Sequence, residues 1–100
     1  MKYYLLNGKS NPEIKPGPDF KAALDAHHEY WDPFVKEGIV LIGGPKMAGS
    51  GLLIIKCEDI AEVEKLCADD PFVTRGVQTY DISEFRLFTG NDCVKEWFNE

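Results

Sequence analysis

A chain of 100 residues, 44% apolar and 28% charged, has the size of one small domain, expected to span residues 1–100, and a composition that excludes extended disorder. Its formal charge of −6 repels phosphate backbones and anionic lipid, so no nucleic acid and no membrane is expected as a partner. Cys57, Cys67 and Cys93 lie too far apart for a zinc site or redox dithiol, and no apolar run of the roughly 18 residues a membrane span needs and no leader pattern appears, so reduced thiols in the cytoplasm are expected.

Tyr3-Tyr4-Leu5-Leu6 reads as a first strand stopped by Asn7-Gly8. Residues 7 to 18 carry Gly8, Pro12, Pro16, Gly17 and Pro18 and read as a loop, either a lid or pocket rim or a plain surface excursion. From Asp19 the spacing turns helical, with Phe20, Leu24, His27, Trp31 and Phe34 on one stripe. Pro33 predicts a bend near Asp32, which could cap a restarted turn, and Gly38 closes the helix.

Ile39-Val40-Leu41-Ile42 and Leu52 to Cys57 are apolar strands joined by the glycine-rich stretch Gly43 to Gly51, a hairpin. Asp59 with Glu62 has the form of a capping box opening a second helix, which should end near Asp69-Asp70-Pro71. Val77 to Phe88 reads as the last strand, and its apolar phase shifts from Tyr80 and Ile82 to Phe85 and Leu87, predicting a bulge near Ser83. Asn91 to Phe98 offers a cap and a short helix whose Trp97 and Phe98 need something to cover.

The order is that of an α+β ferredoxin-like βαββαβ fold with an antiparallel sheet and a short C-terminal helix. Helices should cover one sheet face, and a second copy packed sheet to sheet would cover the other, so a homodimer is expected. Asp32-Pro33-Phe34-Val35 followed by Gly38 is echoed by Asp70-Pro71-Phe72-Val73 followed by Gly76, at topologically equivalent positions.

Two adjacent histidines lie about 100° apart around a helix, so only one can join the apolar stripe, and that one is His27. An inward imidazole can have its protonation tuned for acid–base work, or can simply be a core histidine bonded to backbone. Asp70 is an ordinary turn former unless it reaches His27, where it would fix the tautomer; Asp69 is its decoy. The glycine-rich loop lacks the lysine and serine or threonine of a nucleotide loop and joins two strands, so a pocket rim is the better reading. No metal-ligand spacing or nucleophile elbow appears, and no metal or cofactor is expected.

Ala26-His27, Gly38, Gly44-Pro45, Asp70-Pro71-Phe72 and Gly76-Val77 together resemble the marks of the YCII-related family of small bacterial proteins, over about residues 2 to 88. The resemblance implies a dimeric α+β barrel with a pocket near His27 and Asp70. Some family members are similar to muconolactone isomerases, and one kind eliminates HCl from a chlorinated hydroxyquinol. The chain departs from the family at Pro33, in a helix that is normally continuous, and in its extension from Thr89 to Glu100. The expectation is a small-molecule lyase or isomerase in which His27 moves a proton and Asp70 orients it, with Trp31, Gly44 and Pro45 lining the substrate site. The alternative is a non-catalytic metabolite-binding or accessory dimer.

Overall fold

A computed structural model describes residues 1–99; Glu100, the end of the expected extension, lies outside the described residues. The order is β1 (Lys2–Ser10), α1 (Pro18–Lys36), β2 (Val40–Pro45), β3 (Gly51–Cys57), α2 (Ile60–Asp69), α3 (Pro71–Thr74), β4 (Gln78–Phe85) and α4 (Asp92–Phe98). The strands form one antiparallel sheet in the order β2-β3-β1-β4, the α+β ferredoxin-like arrangement with a short terminal helix added.

β1 does not stop at Asn7-Gly8. It is the central strand, and Asn7 pairs with Leu52 on one side and Asp81 on the other, while Gly8 faces Tyr80 and Ser10 faces Gln78. Ladder pairing outweighs the weak strand preference of Asn and Gly, and the expected long loop shrinks to residues 11–17.

Pro33 does not end α1, which continues through it to Lys36. The proline cannot donate to the carbonyl of Glu29, but both residues are exposed, so that carbonyl can turn to water. Asp32, instead of capping a new turn, pairs with Lys36 at 2.9 Å. The echoed segment Asp70-Pro71 behaves differently, because Asp70 is extended and caps α3 through its side chain.

The two echoed segments share their endings. Ile39 N–H donates to Phe34 O at 2.9 Å and Gly38 N–H to Val35 O at 3.0 Å; Val77 donates to Phe72 O at 2.8 Å and Gly76 to Val73 O at 3.0 Å. Both are Schellman closures, and Gly38 and Gly76 have φ of 80° and 73°, where a side chain would be strained.

The irregularity expected at Ser83 lies elsewhere. β1 and β4 pair without interruption from Tyr3–Phe85 to Ser10–Gln78, whereas the β2–β3 register shifts between Val40 and Ile42. Val40 thus faces inward opposite Ile55, and Ile42 faces outward opposite Ile54. The apolar phase change in β4 has another cause: Phe85, on the outer face with Tyr3, meets Phe98 of α4 at 5.9 Å. β4 ends at Phe85, short of the expected Phe88.

The inner face carries Tyr4, Leu6, Leu53, Ile55 and Cys57, all buried, and packs on Trp31 of α1 and on Val63 and Cys67 of α2. Asp59 caps α2 by accepting from Glu62 N–H at 3.0 Å; Glu62 reaches back to Glu58 N–H rather than to Asp59 itself. On the outer face, α4 covers one end. Asn91 caps it, Trp97 Nε1 donates to Gly38 O at 2.7 Å, the Lys56 ammonium lies 4.6 Å from the Trp97 ring centre, and Tyr3 Oη donates to Phe98 O. Among the described residues, no helix is long and apolar enough to cross a membrane.

Candidate active site

The site begins with the helix stripe. Its spacing puts Phe20, Leu24, His27 and Trp31 on the face of α1 that looks toward the sheet, while exposed His28 stands at the edge of the same cleft. Across from them, α3 begins at Asp70. The extended backbone before Pro71 points the carboxylate back under α1, where it is fully buried.

Four donor groups converge on that carboxylate. His27 Nδ1 lies 3.0 Å from Oδ1 and 2.9 Å from Oδ2, and Phe72 N–H donates to Oδ1 at 2.9 Å. Trp31 Nε1 donates to Oδ2 at 2.9 Å and Tyr80 Oη at 2.6 Å. Burial pushes the Asp70 carboxyl upward, but the bonds from His27, Tyr80, Trp31 and the Phe72 N–H together hold it below its ordinary value. Asp70 is therefore an anion at neutral pH. Burial, then the bond to Asp70, raises the Tyr80 phenol, which keeps its proton and donates it.

An anionic acceptor at Nδ1 fixes which imidazole nitrogen carries hydrogen. With Nδ1–H directed at Asp70, the neutral ring presents the Nε2 lone pair, and Nε2 has no hydrogen-bond partner among the described residues. Phe72 stacks on the imidazole at 4.2 Å between centres with planes 11° apart, which restrains the ring further.

His27 opens on a cleft of about 580 Å³ between α1, the β2–β3 hairpin and β4. Sheet glycines make the room. Gly43 is on the inner face opposite Leu53, where a Cβ would lie 2.3 Å from the leucine side chain and would have to displace it. Gly43, Gly44 and Pro45 form one wall and Phe20, Leu24 and Trp31 the other. Among the described residues, no group of three or more His, Cys, Asp or Glu side chains could hold a metal ion.

Of the residues singled out in the sequence, His27, Asp70 and Trp31 are joined by hydrogen bonds, and Gly44 and Pro45 line the same cleft. Trp31 is both a core residue and a ligand of Asp70. Asp69 is exposed and pairs with Lys65 at 3.0 Å. Sequence reasoning missed Tyr80, Phe72 and Gly43. The alternation Gln78, Tyr80, Ile82 along β4 marks Tyr80 as inward-facing and could have found it.

No curated protein sequence matches the chain. Among solved structures it is similar to 5-chloro-2-hydroxyhydroquinone dehydrochlorinase from Burkholderia phenoliruptrix AC1100, in complex with 2,5-dihydroxybenzoquinone. The TM-score is 0.64 at 20% identity, over 86% of this chain and 94% of that one, a likeness of fold. The family model of the YCII-related domain matches residues 1–86, all of the βαββαβ unit and both members of the His27–Asp70 pair, and the chain belongs to that family.

Proposed function

We propose that the chain is a small-molecule lyase or isomerase in which His27 Nε2 carries a proton and Asp70 positions the imidazole. One observation carries this reading: His27 is anchored through Nδ1 to a fully buried carboxylate, while its other nitrogen, beside a cleft, has no partner among the described residues. A core histidine satisfied at both nitrogens would need no such anchor. In the proposed step Nε2 takes a proton from the ligand, and Asp70 stabilises the imidazolium that results. In an isomerisation the proton returns at another atom of the ligand. In an elimination the leaving group departs with its bonding electron pair.

The dehydrochlorinase of similar fold suggests where to look for substrates: halogenated phenols and quinols, together with cyclic enol-lactones. Turnover of such a panel by the wild type and by His27→Ala tests the proposal. The variant should lose about 100-fold or more in kcat. Retained turnover would remove His27 as the proton carrier.

Formation of a homodimer belongs to the same proposal. Leu5, Leu52 and Ile54 are only half-buried on the outer sheet face, and Ile42 beside them is 55% exposed, an apolar strip beyond the reach of α4. A second copy packed sheet to sheet would cover it, and sedimentation at the monomer mass would refute this. The unpaired thiols of Cys57, Cys67 and Cys93 suit the reducing cytoplasm.

A further inference from the structure

Gln78 opens β4 on the same inner face as Tyr80, about 7 Å along the strand, and lines the cleft while being only 5% exposed. Ser50 Oγ donates to its Oε1 at 2.8 Å. Its Nε2 has no hydrogen-bond partner among the described residues. That nitrogen is not sealed in the core: it keeps accessible surface on the cleft, where it can donate to whatever the cleft holds.

The surroundings show how this amide is held. Ser50 has φ of 58°, a left-handed conformation costly for a residue with a side chain, within a turn closed by Lys46 N–H donating to Ser50 O at 2.7 Å. Gly8 leaves the space in which serine and glutamine meet: a Cβ there would lie 2.9 Å from Ser50 Oγ and 3.0 Å from Gln78 Oε1. A left-handed serine, a glycine whose missing side chain leaves room for it, and an amide donor with no partner among the described residues thus coincide at one end of the cleft. Departures of this kind from ordinary backbone and packing preferences cluster at binding sites.

We propose that Gln78 recognises the ligand by donating a hydrogen bond from Nε2 to a carbonyl, enolate or phenolate oxygen, with Ser50 fixing the orientation of the amide. The inference rests on the cleft being the ligand site proposed above. The complementary ligand is a flat ring, seated between the aromatic residues of α1 and the glycine wall, with an oxygen acceptor directed at β4. Lys46, which also lines the cleft, bonds through Nζ to the neutral oxygens of Asn7 and Gly8, and among the described residues no carboxylate pairs with it. Negative charge on the ligand oxygen is therefore favoured at this end. A donor there also stabilises the charge that develops on oxygen as His27 removes a proton.

The test is equilibrium binding of 4-nitrophenolate, whose absorption band moves to shorter wavelength when its oxygen accepts hydrogen bonds, against 4-nitroanisole, which lacks an ionisable oxygen. Wild type should bind the phenolate more tightly and shift its band. Gln78→Glu, which replaces the donor by an acceptor, should weaken phenolate binding by about tenfold or more and abolish the shift, with 4-nitroanisole binding changed less than about twofold. Gln78→Met, of similar volume and with no donor, should also lose the shift, and it decides the matter if the glutamate variant fails to fold. Unchanged phenolate binding and shift in a folded variant overturns the role of Gln78 and leaves the cleft intact. If wild type binds neither probe, the ligand site and the role of Gln78 fall together; loss of turnover in His27→Ala is a separate outcome that binding does not decide.

Discussion

Replacing Asp70 with asparagine exchanges one oxygen for an NH₂ group, and the geometry makes that exchange expensive. If the amide nitrogen takes the Oδ2 position it faces Trp31 Nε1–H, which can only donate. If it takes the Oδ1 position it faces Phe72 N–H, which also can only donate. One donor is lost in either orientation, at about 1–3 kcal/mol, and the remaining bonds lose the charge that strengthened them, about 1 kcal/mol each. Relief from burying a charge offsets part of this. We expect a net destabilisation of about 3 kcal/mol, a large share of the roughly 5–15 kcal/mol typical of a domain. Urea unfolding followed by tryptophan fluorescence measures it. The cost should also depend on pH: the Asp70 carboxyl is held below its ordinary value in the folded state, so its contribution is full above the unfolded value near ~4 and is lost as pH falls through the folded one. The wild-type and Asp70→Asn curves should therefore converge in acid. A variant within about 1 kcal/mol of wild type at pH 7, or a gap that stays constant into acid, would refute the account of this carboxylate.

Two further outcomes follow from burial. Tyr4 is 1% exposed and its hydroxyl has no partner among the described residues, so Tyr4→Phe should leave stability unchanged or raise it by up to about 1 kcal/mol; a loss of more than that, read from urea midpoints, would mean that the hydroxyl is satisfied. Burial pushes the thiols of Cys57 and Cys67 up to about 12, with nearby carboxylates adding to the effect, while Cys93 is exposed on α4. A disulfide reagent at pH 8 should therefore modify one thiol per native chain and all three in urea, and rapid native modification of two or more would contradict the packing of the core.

Local pattern determined much of this protein. The 3–4 spacing from Phe20 to Phe34 separated His27 from His28 before any contact was known, and Gly38, Asp59 and Asn91 marked helix ends through backbone chemistry confined to a few neighbours. Asp70 was legible as a turn residue, and its bond to His27 could be posed as a condition. Family marks joined the two, and the family model spans both.

Tertiary structure decided the rest, and where local reading failed, the reason was a partner distant in sequence. Central pairing carried β1 through Asn7-Gly8, a helix on the far face of the sheet explained the phase change in β4, and solvent beside Glu29 let α1 continue past Pro33. The same holds at the site. Tyr80 and Trp31 come from different elements to the carboxylate of Asp70, and Ser50 meets Gln78 only because Gly8 leaves space between them. A sequence records which groups can donate, accept or turn; which donor finds a buried acceptor, and which is left unpaired, depends on where distant strands and helices meet.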